Sequence, residues 1–176
     1  MAALLALAVQ ACSPGGSNGP GDVDQARALA AANDPANWIV HGGTFEEQRY
    51  SALDKINAGN VGQLGLAWSF EFDTNRGQEA TPLVVDGVIY TSTAWSRVYA
   101  IDARTGKELW RFDPEASGEA AYNMCCDVVN RGVAVWKGKV FVGVIDGRLI
   151  ALDAKTGKQA WSVQTFDKSK PYAISG

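Results

Sequence analysis

Histidine is almost absent from this sequence, and neither sign of charge dominates it. There is one histidine in 176 residues, and 16 Lys and Arg stand against 19 Asp and Glu, a formal net charge of −3. His41, the lone histidine, has no partner motif for metal or nucleophilic work and is assigned a structural role. The missing basic excess excludes nucleic acid or an anionic membrane surface as the main partner. The apolar run at residues 2–11 is too short to span a bilayer. No Cys-x-x-Cys-His haem site occurs. What the chain has in quantity is hydrophobic residues, 47%, and six tryptophans, enough for a packed core.

Only three cysteines are present, and two of them, Cys125 and Cys126, are neighbours. Adjacent Cα atoms lie about 3.8 Å apart across a trans peptide. The usual disulfide spans about 4.4–6.8 Å, so bridging this pair closes a strained eight-membered ring. Strain of that kind is kept where something uses it. Two reduced, buried cysteines adjacent by accident are the alternative, and the residues alone leave both open.

The third, Cys12, follows the apolar run and precedes the flexible stretch Ser13-Pro-Gly-Gly-Ser-Asn-Gly-Pro-Gly21. Val9-Gln-Ala-Cys12 resembles a bacterial lipoprotein processing site. The resemblance implies lipidation at Cys12 and a possible lipid anchor to a membrane; simple leader cleavage after Ala11 is the alternative. Both imply export and a periplasmic location, where a disulfide is chemically permitted. Residues 1–21 are therefore expected to be leader and tether, and 22–68 a lead-in. The lead-in is expected to carry a helix over 23–32 capped by Asp22 and another short helix near 60–64.

The body of the chain repeats itself. Ala100-Ile-Asp-Ala-Arg-Thr-Gly-Lys-Glu-Leu-Trp110 returns as Ala151-Leu-Asp-Ala-Lys-Thr-Gly-Lys-Gln-Ala-Trp161, identical at seven of eleven positions and displaced by 51 residues. A period of roughly 40–50 residues written in short strands signals a β-propeller, with one four-stranded blade per repeat. Asp86-Gly87, Lys137-Gly138 and Asp146-Gly147 separate β-branched and aromatic runs in the manner of two-residue hairpins. Strands are predicted over 88–93, 98–102 and 107–112, then over 139–145, 149–153 and 158–163. The fourth strand of each blade is predicted within 82–85 and 132–136. The fold class is all-β, with residues 69–176 forming the first blades of an incomplete propeller. Two units fall short of the about 4–8 blades that close a ring, so the chain is expected to be an amino-terminal fragment.

The spacing Ala100/Gly106/Trp110, repeated at Ala151/Gly157/Trp161, resembles the tryptophan-docking motif of quinoprotein propellers, in which each Trp packs across to the adjacent blade. A Trp recurring once per blade is in any case most simply core packing. Three further segments carry the same likeness: His41-Gly-Gly with Arg49-Tyr-Ser-Ala-Leu, then Gly77-Gln-Glu-Ala-Thr-Pro82, then Asn123-Met-Cys-Cys-Asp-Val-Val-Asn-Arg-Gly132. Together they resemble the pyrroloquinoline quinone (PQQ)-dependent methanol and ethanol dehydrogenases, from about Trp38 onward. The resemblance implies an eight-bladed propeller that oxidises small primary alcohols with PQQ and calcium and passes electrons to a cytochrome c-type acceptor.

It also implies roles for particular residues. Cys125 and Cys126 would be a vicinal disulfide on which the planar quinone stacks, and Glu79 a carboxylate that binds PQQ. Arg131 would hold the cofactor's carboxylates, which suits a planar guanidinium. Ser175 stands where the family usually has a threonine whose hydroxyl bonds PQQ. On the residues alone, Glu79 could equally be an exposed loop glutamate and Arg131 a loop arginine paired with Asp127. The family's calcium ligands and its general-base aspartate are expected downstream of Gly176, which leaves no catalytic residue in this stretch and predicts that the fragment alone is inactive. A non-catalytic lipoprotein propeller serving as an outer-membrane assembly scaffold shares the repeat and the lipidated cysteine. It has no use for the cysteine pair, Glu79 or Arg131.

Overall fold

A computed structural model describes residues 19–176. The leader and Cys12 lie outside them, apart from the last residues of the tether. Eight strands form two four-stranded antiparallel sheets, each a simple meander. The first is β1 (Leu83–Val85), β2 (Val88–Ser92), β3 (Val98–Asp102) and β4 (Glu108–Phe112). The second is β5 (Ala134–Trp136), β6 (Lys139–Gly143), β7 (Arg148–Asp153) and β8 (Gln159–Gln164). These are two blades of a β-propeller, and every predicted strand is present within two residues of its expected bounds.

The repeat in sequence is a repeat in detail. Asp86-Gly87 and Lys137-Gly138 turn with positive φ at both residues, 52° and 78° in the first, 46° and 71° in the second. That geometry matches the right-handed twist of the flanking strands. Asp146-Gly147 is different: β6 stops at Gly143 and β7 starts at Arg148, so four residues make the connection. Gly147 N donates to Val144 O at 2.8 Å, closing a longer turn than the two-residue hairpin expected. Each third strand carries an irregularity against the fourth at the same place, between Ala100 and Ile101 and between Ala151 and Leu152. Asp102 then accepts hydrogen bonds from Thr105 N (2.7 Å) and Oγ1 (2.8 Å), and Asp153 does the same for Thr156 at 2.8 and 2.7 Å. The threonine hydroxyl, with the backbone N–H beside it, holds each carboxyl below its usual range.

Tryptophan joins the blades. Trp110 leaves β4, is 8% exposed, and donates from Nε1 to Ala154 O at 3.0 Å in the second blade. Its ring lies against Gly157, where an added Cβ would stand 2.6 Å from Trp110 Cδ2. Trp68 does the same for the first blade: Nε1 donates to Ala103 O at 3.2 Å, and the ring covers Gly106. Trp68 was not expected in this role, because no Ala/Gly spacing precedes it. Trp161 meets no further blade among the described residues and is 40% exposed.

The main core spans both sheets, with Val85, Tyr90, Val98 and Trp110 from one and Val135, Val140, Ile150 and Leu152 from the other. Tyr90 OH, wholly buried, donates to Ala154 O at 3.2 Å, and burial pushes its phenol up to about 12. The lead-in docks on this core through Val23 and Ile39, 1% and 3% exposed. Burying an aliphatic side chain contributes about 1.5–3 kcal/mol, which suffices to pin an otherwise irregular segment. Trp38 pairs with Val84 in an isolated bridge. The expected helix over 23–32 is shorter, α1 (Gln25–Leu29), followed by a 3-10 turn at Ala31–Asn33. Its cap is Asp24, whose carboxylate accepts from Arg27 N at 2.8 Å, and not Asp22. Val23 is held outside the helix: its carbonyl accepts from Lys137 N at 2.8 Å, so the helical ladder opens at Asp24 O, which accepts from Ala28 N at 2.9 Å. The second short helix is a 3-10 turn at Val61–Gln63.

Candidate functional site

Between β4 and β5 runs a long connection, residues 113–133, that leaves the sheets and returns. A 3-10 helix at Gly118–Asn123 opens its middle, with Ser117 Oγ accepting from Glu119 N at 3.2 Å. Cys125 and Cys126 follow, disulfide-bonded to each other with Cα atoms 3.8 Å apart. Both are exposed, which sets aside the reading of two buried thiols. The next residues reverse this: Val128, Val129 and Asn130 are 3%, 2% and 1% exposed. Val128, Ala94 and Ile145 form a small apolar cluster of their own, with Trp95 and Met124 packed against it. The cysteine ring is therefore presented to solvent on a loop anchored from beneath.

Asp127 is ion-paired with Arg76, not with Arg131. The Arg76 guanidinium also lies 5.8 Å from the centre of the Trp95 ring. Arg131 is thus free for other partners, and two of the residues singled out in the sequence meet it. Its NH2 nitrogen is 3.1 Å from Glu79 Oε2, and its NH1 donates to Ser175 Oγ at 2.5 Å. The backbone repeats the link, with Arg131 N donating to Ser175 O at 2.6 Å and Thr81 N donating to Arg131 O at 3.2 Å. Glu79, Arg131 and Ser175 come from segments 52 and 44 residues apart (131 − 79 and 175 − 131) and converge on one guanidinium. The cysteine ring stands five residues upstream on the same loop.

The contacts of His41 escaped the sequence reading. Thr81 Oγ1 lies 3.0 Å from His41 Nε2, and His41 Nδ1 lies 3.3 Å from Glu47 Oε2. Arg49 NH2 is 3.2 Å from His41 Nδ1. His41 thus fastens the lead-in beside the strand that follows Glu79. Arg49 and Thr81 carry the family likeness in two separate segments, and nothing in their spacing announced the contact.

The chemistry of this donor set fits a planar, carboxylate-bearing ligand. The side chains of Arg131 and Glu79 are 45% and 42% exposed. An ion pair so open to water is worth about 0–1 kcal/mol, so a ligand carboxylate can replace Glu79 on the guanidinium at little cost. Arg131 offers a planar fork of donors and Ser175 an adjacent hydroxyl. The exposed Cys125–Cys126 ring supplies an apolar, polarisable surface on which a flat ring system can lie.

Propeller blades locked by tryptophan, with a vicinal disulfide and an arginine on one inter-blade loop, define a quinoprotein-type propeller. Residues 38–168 match the family described as "PQQ: Glucose/ethanol/alcohol dehydrogenase, beta-propeller domain", and the chain belongs to that family. It is 58% identical over 158 residues to the quinohemoprotein alcohol dehydrogenase ADH-IIG of Pseudomonas putida, covering 89% of this chain and 22% of that protein. The solved structure of ADHIIG from P. putida HK5 superposes with a TM-score of 0.86 over 89% of this chain and 23% of that one. A 1-butanol dehydrogenase (cytochrome c) of Thauera butanivorans is 54% identical over 140 residues, 79% of this chain and 20% of that one. A europium-containing methanol dehydrogenase superposes with a TM-score of 0.80 at 38% identity, over 86% and 27% of the two chains. The chain spans about a fifth of the length of the curated relatives it matches.

Proposed function

We infer that this chain is the amino-terminal part of an exported quinoprotein alcohol dehydrogenase. The whole protein oxidises primary alcohols with PQQ and calcium and passes the electrons to a cytochrome c-type acceptor. The observation that carries the reading is the convergence of Glu79 and Ser175 on Arg131, five residues after an exposed vicinal disulfide. Arg131 and Ser175 would hold the cofactor's carboxylates, Glu79 a further polar edge, and the Cys125–Cys126 ring one face of its plane. When bound, PQQ supplies the two-electron chemistry, and the protein binds and orients it. The calcium ligands and the proton-abstracting aspartate belong to sequence beyond Gly176, so residues 1–176 alone oxidise no alcohol even with PQQ and calcium added. The name of the T. butanivorans relative supports both a primary alcohol and a cytochrome acceptor. The europium-containing relative makes a lanthanide ion the outcome of metal analysis that would displace calcium.

Residues 1–21 form a leader and tether, 22–68 a lead-in, and 69–176 the first blades. Residues 1–21 support periplasmic export, with a lipid anchor on Cys12. Detergent partition of the exported protein, abolished by Cys12→Ala, is expected; identical soluble behaviour of both forms refutes the anchor. The site is tested by PQQ content in the purified whole protein. Arg131→Ala should lose more PQQ than Glu79→Gln, because losing a charge-assisted contact costs about 1.5–3 kcal/mol whereas Gln keeps the shape and one acceptor. Undiminished PQQ in both variants overturns the assignment.

A further inference from the structure

Asn130 is 1% exposed, and every hydrogen-bonding position of its amide is used. Nδ2 donates to Gly143 O at 2.8 Å and to Ser96 Oγ at 3.2 Å. Oδ1 accepts from Ser92 Oγ at 2.6 Å and from Gly132 N at 3.2 Å. A carboxamide has two donor hydrogens and two acceptor lone pairs, so the complement is full. The partners come from three places: the end of β2 and the turn after it in the first blade, the end of β6 in the second, and the loop itself. One side chain therefore ties the loop that carries the cysteine ring and Arg131 to both blades at once.

The turn it grips is held in an unfavourable conformation. Trp95 and Ser96 have φ of 64° and 58°, and Asp127, directly after the disulfide, has 65°. Bulky residues keep such a backbone only where their surroundings over-determine it. Here Trp95 N donates to Val128 O at 2.9 Å, and Ser96 Oγ accepts from both Asn130 Nδ2 and Ile145 N, the latter at 3.3 Å. Turn and loop hold each other and both reach the second blade, the turn through Ser96 to Ile145 N and the loop through Asn130 to Gly143 O.

We propose that Asn130 is a positioning residue for the quinone, fixing the Arg131 guanidinium and the Cys125–Cys126 ring in register with each other without touching the cofactor. The proposal rests on the site reading given above. Aspartate at this position keeps the shape and still accepts from Ser92 and Gly132. It cannot donate to Gly143 O unless protonated, and it places charge in a buried pocket.

The test is PQQ titration of the whole apoprotein, followed by the absorption spectrum of the bound quinone and by the apoprotein's thermal unfolding. Asn130→Asp should weaken PQQ binding by about tenfold and shift the spectrum in protein that remains folded. Tyr90→Phe removes another buried inter-blade bond, remote from the loop; it should lower the melting temperature and leave titration and spectrum unchanged. Arg131→Ala reports on the site itself. Loss of binding in Arg131→Ala with a wild-type titration in Asn130→Asp overturns the positioning role alone, whereas normal binding in both overturns the site reading with it. Should Asn130→Asp fail to fold, Ser96→Ala removes one of the four bonds and decides the matter. A weakened titration with a shifted spectrum supports the role, and wild-type values refute it.

Discussion

Replacing Gly157 by alanine should cost far more than replacing Gly87, although both are turn glycines with nearly the same backbone. Their φ values are 69° and 78°, so an L side chain meets the same left-handed penalty in each, about 1–2 kcal/mol. Their surroundings differ. A Cβ on Gly87 meets nothing within 4 Å, whereas one on Gly157 stands 2.6 Å from Trp110 Cδ2 and Cε3 and 3.0 Å from Cγ. Those contacts cannot persist, so the indole must move. Overpacking adds about 1–3 kcal/mol. Displacing the ring also endangers its Nε1 bond to Ala154 O, worth about 1 kcal/mol. The expected totals are about 1–2 kcal/mol for Gly87→Ala and about 3–6 kcal/mol for Gly157→Ala. Urea denaturation of the whole protein, followed by tryptophan fluorescence, measures the difference. Equal costs would show that the indole yields freely and that its docking does not hold the blades together.

Trypsin should release the peptide 112–131, and without reductant it should resist alkylation and weigh about 2 Da less than the dithiol form, two thiol hydrogens having been lost; free thiols would remove the platform. The lowered carboxyls of Asp102 and Asp153 stabilise the fold above the unfolded carboxylate pKa of about 3.9, and the contribution is lost as pH falls through their depressed folded values. Thr105→Val with Thr156→Val should therefore lower stability at neutral pH and match wild type in strong acid. A gap between the two that stays constant from pH 6 to pH 2 would contradict this origin. Dye-linked alcohol oxidation by residues 1–176 above a free-PQQ control would mean that catalytic residues lie within this chain.

The blades were legible because propeller repeats restate the same physical instructions. Asp86-Gly87 and Lys137-Gly138 write tight hairpins, alternation writes half-buried strands, and the glycine at fixed spacing writes the seat for the neighbouring tryptophan; Asp146-Gly147 carries the same dipeptide but closes a longer turn. Tertiary contacts were harder to see. Trp68 docks like Trp110, yet it lies in the irregular lead-in outside any strand, and Leu64 stands where the other tryptophans have a glycine four residues before them. Asp24 displaced Asp22 as helix cap because the Val23 carbonyl is taken by Lys137 N of the second blade, a demand that appears only once the blades have formed. At the site, the family resemblance singled out the cysteine pair and Arg131, whose residue types alone left other readings open. Which acid Arg131 would choose was not written locally, because Asp127, four residues away, is taken by Arg76 from 51 residues upstream (127 − 76).

The docked tryptophans at 68 and 110 and their counterpart at 161 are separated by 42 and 51 residues (110 − 68 and 161 − 110). From the first strand of each blade to its tryptophan the count does not change: Leu83 to Trp110 and Ala134 to Trp161 are both 27 residues (110 − 83 and 161 − 134). The whole excess of nine lies between one tryptophan and the next first strand, 24 residues against 15 (134 − 110 and 83 − 68). That is the interval that holds the cysteine ring. Its return half, Val128–Arg131, is bonded to both blades, but Gly118–Asn123 has no buried residue, and an insertion there displaces no strand and no docking pair. Length can change at that outer stretch during descent while the propeller and the anchored segment after it keep their register, so new specificity need not be acquired at the expense of the fold.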